Sequence, residues 1–220
     1  MNKKEAIKKI EIEAKKFFVD VSGCHDWTHV DRVRNLALHI GKKEKANLFI
    51  LEIAALLHDI GRKGEMKSKG DFCHAVYGGE MARKILPKHG LLKDEIENVI
   101  HSIQAHRYRN KHIPNTIEAK VLFDADKLDS IGAIGIARDF LFAGNAGSSS
   151  LYTGNEKRLS SGKKDYSYTK EDSALLEYYI KLRFIYKKMT TKEGKRIAKG
   201  RQKFMNNFFI RFDKEIKGII

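Results

Sequence analysis

The sequence AALLHDIGR, from Ala54 to Arg62, carries the strongest structural signal in this chain. An apolar run ends in His58 and Asp59, and Gly61 follows them. The apolar residues predict a buried helix, so the imidazole and the carboxylate at its end need polar partners. A divalent cation would satisfy both groups, and so would hydrogen bonds at the end of a helix. The dipeptide alone does not decide between these two interpretations.

Composition favours one large helical domain. The chain has 220 residues, 42% of them hydrophobic and 32% charged, and only two prolines interrupt helices. It lacks a long apolar run and begins with a charged amphipathic segment, so we expect a cytoplasmic protein with no membrane partner. Cys24 and Cys73 are too few for a disulfide framework and are expected to be reduced.

A formal net charge of +15 indicates an attraction for phosphates, nucleic acids or acidic surfaces. A lysine-rich surface that only keeps the protein soluble is the alternative. The basic residues concentrate in the first predicted helix and in the sequence KRIAKGRQKF, residues 195–204. Charge alone does not distinguish a phosphorylated substrate from a nucleic-acid partner.

Hydrophobic periodicity predicts an all-α fold, because apolar residues recur at helical spacing and no strand pattern is evident. Basic loops are predicted at residues 61–70 and 107–114. Residues 144–167 lack periodicity, which is typical of an active-site lid or of a disordered segment. The predicted helices cover approximately residues 3–18, 28–41, 46–60, 73–86, 93–106, 116–131, 132–143, 171–186 and 192–212.

Four side chains of metal-ligating type fall on three of these helices: His29, the pair His58 and Asp59, and Asp126. Facing helices of a bundle can direct such groups to one interior point. Two imidazoles and two carboxylates suit Mn, Fe, Zn or Ni, and Mg less well. Each group alone also has a structural interpretation, since His29 could pack or cap a helix and Asp126 could pair with a basic neighbour.

Four longer motifs resemble those of the HD-domain metal-dependent phosphohydrolases: DWTHVDRV (26–33), AALLHDIG (54–61), HAVYGGEMA (74–82) and LFDADKLDSIGAIGIAR (122–138). The likeness is to a branch of stand-alone bacterial and archaeal HD hydrolases, some of which cleave nucleoside triphosphates. It is close over residues 20–140 and looser to about residue 210. After HDIG the chain reads Arg62-Lys63-Gly64, unlike alarmone hydrolases.

The resemblance implies a single HD domain over residues 1–220, a helical bundle with a motif core at about 20–140 and closing helices at about 170–212. It also implies one divalent metal ion, with Mn, Fe, Zn, Ni or Mg as candidates, and makes a second metal possible but less favoured. Asp126 is preferred to Asp124 because ADKLD resembles the family's final motif with its first aspartate as the ligand. The implied ligands are His29, His58, Asp59 and Asp126.

His74 and His106 match positions at which binuclear relatives carry further ligands. We favour substrate-phosphate contacts or support of the ligands over a second metal, because additional bridging carboxylates are not evident in the sequence. Asp129 could orient a ligand histidine or Lys127, or make an ordinary helix contact. Four other histidines lack a family motif, so we expect surface or packing roles for His25, His39, His89 and His112.

Positive charge near the motifs suggests how a phosphorylated substrate is held. Asp59 would orient the attacking water, Arg32 and Lys127 would assist catalysis, and Arg62 and Lys63 would bind substrate. A guanidinium offers paired donors to phosphate and a lysine offers a point charge. Solvent exposure or pairing within a helix remains the alternative for each of these basic residues.

The resemblance thus implies a metal-dependent phosphohydrolase that acts through a metal-activated water on a small phosphorylated substrate. A nucleotide is favoured, as for a nucleoside triphosphate pyrophosphohydrolase. One alternative is a phosphodiesterase for a cyclic nucleotide or an RNA end. Another is a basic nucleic-acid-binding protein with a vestigial HD site. The aromatic closing helices leave a homodimer open.

Overall fold

Helices provide all of the regular secondary structure in the part of the chain that the structure, a computed structural model, describes. That part comprises residues 2–19, 21, 23–68, 71–107, 112–148, 150–162, 166, 169 and 171–220. The predicted all-α class is confirmed. The α-helices are α1 (Lys3–Lys15), α2 (Trp27–Glu44), α3 (Leu48–Leu57), α4 (Arg62–Lys67), α5 (His74–Ile85), α6 (Lys93–Ala105), α7 (Ile117–Leu128), α8 (Gly132–Asn145), α9 (Glu156–Leu159), α10 (Ala174–Ile180) and α11 (Lys192–Ile216).

The first of two compact units consists of Met1–Asp126 and Thr190–Gly194. Its central element is α3, which packs against α1, α2 and α6. The sequence LFILEIAALL is apolar around nearly its whole circumference, as a helix surrounded by others requires. Every residue from Ile53 to Leu57 is fully buried. This buried helix therefore delivers His58 and Asp59 into the interior of the unit.

Side-chain caps fix where the two helices nearest the HD pair begin. The carboxylate of Asp26 accepts a hydrogen bond from the backbone N–H of His29 at 3.2 Å and so starts α2. The amide oxygen of Asn47 accepts from the N–H groups of Phe49 and Ile50 at the start of α3. Because Asp26 caps α2, His29 lies in the first turn of that helix.

The second unit consists of Lys127–Met189 and Lys195–Ile220. Within it α10 packs against α8, α9 and a 3₁₀ helix at Leu182–Lys188. Aromatic rings dominate its core, where Tyr178 stacks on Phe209 with 4.2 Å between ring centroids. Phe140 contacts three aromatic rings of α11, at Phe208, Phe209 and Phe212. The expectation of one domain over residues 1–220 stays a prediction.

Several predicted element boundaries are wrong. The helix predicted at 46–60 ends at Leu57, because the chain turns at His58 and Asp59. The loop predicted at 61–70 contains α4, in which Arg62 and Glu65 form an ion pair three residues apart. The segment 144–167 contains the short helix α9. The helix predicted at 171–186 is divided at Lys181 into α10 and the 3₁₀ helix. In the described part of the chain, no helix has the length and apolarity needed to cross a membrane.

Candidate metal centre

Three of the four predicted ligands meet directly in the first unit. The two Nε2 atoms of His29 and His58 are 3.3 Å apart, and Nε2 of His29 is 3.5 Å from Oδ1 of Asp126. Oδ2 of Asp59 lies 3.8 Å from Nε2 of His29 and 4.0 Å from Nε2 of His58. Ligand atoms that share one ion at about 2.1 Å are separated by roughly 3 to 4 Å. The donor types and their spacing therefore fit one divalent metal ion.

The fold buries this group almost completely. His29 and His58 are fully buried and Asp59 is 1% exposed, whereas the Asp126 side chain retains 17% of its exposure. Each comes from a helix terminus or the turn after it: the start of α2, the end of α3 and the last turn of α7. Several buried ligand atoms that face one point need a shared partner, because burying polar or charged groups without a partner costs free energy.

His58 has the tautomer that a metal ligand needs. Its Nδ1–H donates to the carbonyl oxygen of Ala55 at 2.7 Å, which leaves the Nε2 lone pair directed toward His29 and Asp126. Burial lowers the pKa of His58 to about 4, so the ring is neutral at physiological pH. A neutral imidazole with a bare Nε2 is the form that binds metal.

Asp59 is held as a carboxylate by the positive groups around it. Burial by itself raises the pKa of Asp59, but Arg62 and the histidines outweigh burial and hold that pKa well below its usual range. The guanidinium of Arg62 donates to both carboxylate oxygens, with Nη2 3.3 Å from Oδ1 and 3.4 Å from Oδ2. Asp59 is therefore negatively charged at neutral pH, as a metal ligand would be.

His74 and His106 form a second cluster on the other oxygen of Asp59. Nε2 of His74 is 3.2 Å from Oδ1 of Asp59 and 3.2 Å from Nε2 of His106, which in turn is 3.6 Å from the same oxygen. This triad also has the spacing of a metal site. The structure thus brings both histidines to the HD pair.

Glu65 and Arg107 extend this second cluster. Oε2 of Glu65 accepts from Nδ1 of His74 at 2.7 Å, and Arg107 pairs with Oε1 of Glu65. Although burial lowers the pKa of His74, Asp59 and Glu65 outweigh it and raise that pKa above the usual value. Asp59 and Glu65 therefore favour the protonated form of the His74 imidazole. Sequence reasoning missed Glu65 because residues 61–70 were predicted to be a loop.

His25 was expected to have a surface or packing role, but the structure places it against the HD pair. Nδ1 of His25 is 3.2 Å from Oδ2 of Asp59, and its ring meets that of His29 edge to face with centroids 5.5 Å apart. Its side chain keeps 29% of its exposure, so it lies at the rim of the cluster. The sequence feature that could have identified His25 as a site residue is its position immediately before the DWTHVDRV motif.

The two aspartates considered for the last ligand position have different surroundings. Asp124 is fully buried and accepts four hydrogen bonds from the backbone N–H and hydroxyl groups of Thr190 and Thr191, at 2.6 to 3.0 Å. Asp126 instead faces His29. Asp129, expected near the ligands, accepts from Arg138 at 2.8 Å within the second unit.

The predicted basic residues have different partners. Arg62 contacts Asp59 and Glu65, as described above. Arg32 donates to the hydroxyl of Thr28 at 3.0 Å, and the ammonium of Lys63 donates to the carbonyl oxygen of Val19 at 2.9 Å. Lys127 belongs to the second unit. Their proposed roles toward a substrate stay predictions.

Comparison with known proteins identifies the family. The HD domain family model matches residues 26–131. The uncharacterized protein YpgQ of Bacillus subtilis is 36% identical over 204 residues, which cover 91% of this chain and 88% of YpgQ. The chain belongs to the HD-domain family. HD domains bind divalent metals, and this chain has His and Asp groups that could hold one.

Solved structures agree with this assignment. The crystal structure of YpgQ in complex with ADP is 33% identical, covers 100% of this chain and 99% of its own, and has a TM-score of 0.75. An HD-superfamily hydrolase from Bacillus thuringiensis is 30% identical, covers 98% of this chain and 99% of its own, and has a TM-score of 0.73. The protein is an HD-superfamily hydrolase with the predicted helical-bundle fold.

Proposed function

We propose that this HD protein is a metal-dependent phosphohydrolase whose substrate is a nucleotide, most specifically a nucleoside triphosphate cleaved to release pyrophosphate. The observation that carries the proposal is the convergence of His29, His58 and Asp126 at the spacing of ligands of one ion, with Oδ2 of Asp59 3.8 Å from Nε2 of His29. A divalent cation bound there supplies Lewis acidity toward a phosphoryl oxygen and lowers the pKa of water.

The residues around that position can share the work of phosphoryl transfer. Asp59 is the candidate ligand whose carboxylate contacts both clusters, and it orients the attacking water through its Oδ2 atom. Arg62 keeps Asp59 ionised, and His25 fixes the same oxygen from the rim. Phosphoryl transfer depends mainly on position and on neutralised charge. These contacts supply both.

His74 and His106 are proposed to contact the phosphate chain. Asp59 and Glu65 raise the pKa of His74, which favours its protonated form. A positively charged imidazole beside the scissile group attracts phosphate. One metal ion is proposed at His29, His58, Asp59 and Asp126, and the second cluster is assigned to the substrate. The crystal structure of YpgQ with ADP supports a nucleotide rather than another phosphoester.

A screen of phosphate and pyrophosphate release over nucleotides tests the proposal, with Mn, Fe, Zn, Ni or Mg and with or without chelator. We expect metal-dependent pyrophosphate release that His58→Gln and Asp59→Asn reduce by at least about 100-fold. His39→Gln serves as the matched control because the His39 side chain is 52% exposed and pairs with Glu193. His25→Asn should lower kcat by about 10-fold while metal affinity is largely retained.

Other outcomes would replace the proposal. Full activity in His58→Gln and Asp59→Asn with Mn present would contradict it. Cleavage of a cyclic nucleotide or an RNA end, without activity on nucleoside triphosphates, would favour the phosphodiesterase alternative. Nucleic-acid binding without any hydrolysis would favour a vestigial site.

A further inference from the structure

Helix α11 carries three exposed lysines, Lys195, Lys199 and Lys203, which we call the lysine stripe. They are four residues apart, so they lie on one face of the helix and span about 12 Å of its axis. No Asp or Glu occurs between Gly194 and Phe212. Like charges four residues apart destabilise a helix, so the stripe keeps an unfavourable repulsion.

The first helix shows what a solubility surface looks like in the same chain. On α1, Lys9 pairs with Glu5 at 2.8 Å and Lys15 pairs with Glu11 at 2.7 Å, each four residues apart. Those lysines therefore have charge partners on their own helix. The residues three and four positions from each stripe lysine include no carboxylate. The stripe is thus charged without local compensation, as a surface that binds a polyanion is.

Two neighbouring features favour a nucleic-acid strand over other anions. Phe204 is 54% exposed and lies about 100° around the helix from Lys203, so its ring is on the face that borders the stripe, where it can stack on a base. Gly200 has no atom within 4 Å of the position of an added Cβ, so the helix surface is open there. The apolar residues Ala198, Met205 and Phe209 of the same helix are buried, and its exposed apolar residues Phe204 and Ile210 lie about 120° apart around the axis, so they do not form one apolar face that could insert into a lipid surface.

The geometry points to a binding surface for single-stranded nucleic acid on α11, made by the lysine stripe and Phe204. The lysines contact successive phosphates and Phe204 stacks on a base. This surface does not involve the candidate metal centre, so binding is independent of the divalent cation and of hydrolysis.

Fluorescence anisotropy with labelled dT and rU oligonucleotides of about 20 nucleotides, in chelator, tests this surface on the full chain. We expect the triple variant Lys195→Gln/Lys199→Gln/Lys203→Gln to bind at least about 10-fold more weakly at constant salt. The magnitude of the slope of log affinity against log salt concentration should decrease by about 2, because each of the three lost phosphate contacts contributes about 0.7. Asp126→Asn should bind as the unchanged protein does.

A control variant removes three other exposed lysines, Lys4→Gln/Lys8→Gln/Lys93→Gln, and has the same net charge as the triple variant. The affinity of this control variant for the oligonucleotides should change by less than about 3-fold. Phe204→Ala should reduce the affinity for oligonucleotides more than the affinity for inorganic polyphosphate, which is measured as a competitor. Equal losses in both lysine variants would overturn the proposal. So would no binding at all, an unchanged affinity in Phe204→Ala, or a preference for vesicles with anionic lipid.

Discussion

Asp124 and Asp126 are two residues apart on α7 and have the same side chain, but they make different contacts. Asp124 accepts four hydrogen bonds from Thr190 and Thr191, which ties Thr190–Gly194 to the first unit. Gly194 makes this approach possible, because an added Cβ would lie 2.2 Å from Oδ2 of Asp124. Asp126 is left to face His29.

This difference predicts opposite phenotypes for two conservative substitutions. Asp124→Asn replaces one carboxylate oxygen, a hydrogen-bond acceptor, with an amide NH₂ group that faces the N–H and hydroxyl donors of Thr190 and Thr191. We therefore expect a loss of about 1–3 kcal/mol in the free energy of unfolding. Asp126→Asn should leave that free energy within about 1 kcal/mol while abolishing metal binding. Urea unfolding and isothermal titration with Mn measure the two effects. Loss of metal binding in Asp124→Asn, with its stability unchanged, would contradict the assignment.

The buried imidazole of His58 predicts a pH dependence of stability in the metal-free protein. Its pKa is about 4 when folded and about 6.5 when unfolded, so the unfolded chain binds the proton more readily between these values. Protonation of the unfolded chain therefore destabilises the fold as the pH falls from about 6.5 toward 4. His58 alone should account for a loss of about 2 kcal/mol by pH 5.

Urea unfolding in chelator at pH 7.5 and at pH 5 measures this effect. His58→Gln should lose less stability between the two pH values than the unchanged protein does, by about 2 kcal/mol. His39→Gln is again the control, because its imidazole is half exposed. An equal loss in all three proteins would show that His58 is not the group that resists protonation.

At the scale of elements, Gly61 determines how closely the HD turn approaches α5. An added Cβ at Gly61 would lie 2.3 Å from the carbonyl oxygen of His74 and 2.9 Å from the backbone nitrogen of Gly78. Both atoms belong to a helix backbone and cannot move aside cheaply. The glycine following the HD pair is therefore needed for close packing, which places His74 beside Asp59.

Gly61→Ala should destabilise the protein by about 1–3 kcal/mol and weaken metal binding, because it displaces the turn that carries Asp59. The matched substitution Gly200→Ala lies in an exposed part of α11 with open space around it. It should instead stabilise the protein by up to about 1 kcal/mol, since alanine is the better helix former. Thermal unfolding and Mn titration of both variants provide the test. Equal stability changes would disprove the packing role of Gly61.

At the scale of the whole molecule, the candidate ligands all belong to the first unit, of which Asp126 is the last residue before the boundary in α7. A ligand that binds only the folded state at 100 times its Kd stabilises that state by about 2.7 kcal/mol. Hydrogen exchange with and without Mn should therefore show added protection in α2 and α3. Asp126→Asn should show none. Added protection confined to α10 and α11 would place the metal elsewhere.

Much of the fold and of the candidate site could be predicted from local sequence. The apolar pattern of α3 predicted a buried helix that ends at His58 and Asp59, and the pattern elsewhere predicted the all-α class. Local pattern failed where long-range contacts decide, as at α4, whose Arg62 and Glu65 also contact Asp59 and His74. The pattern also gave no reason to separate residues 171–186 into two helical segments.

The sequence by itself determined which side chains could bind a metal and which helices carry them, because residue type and helical period are local properties. The tertiary structure decided which of those side chains meet. It brought His25 to Asp59, used Asp124 for Thr190 and Thr191, and paired Asp129 with Arg138. The physical reason is that hydrogen-bond partners and burial depend on the packing of residues remote in sequence, and no local pattern encodes that packing.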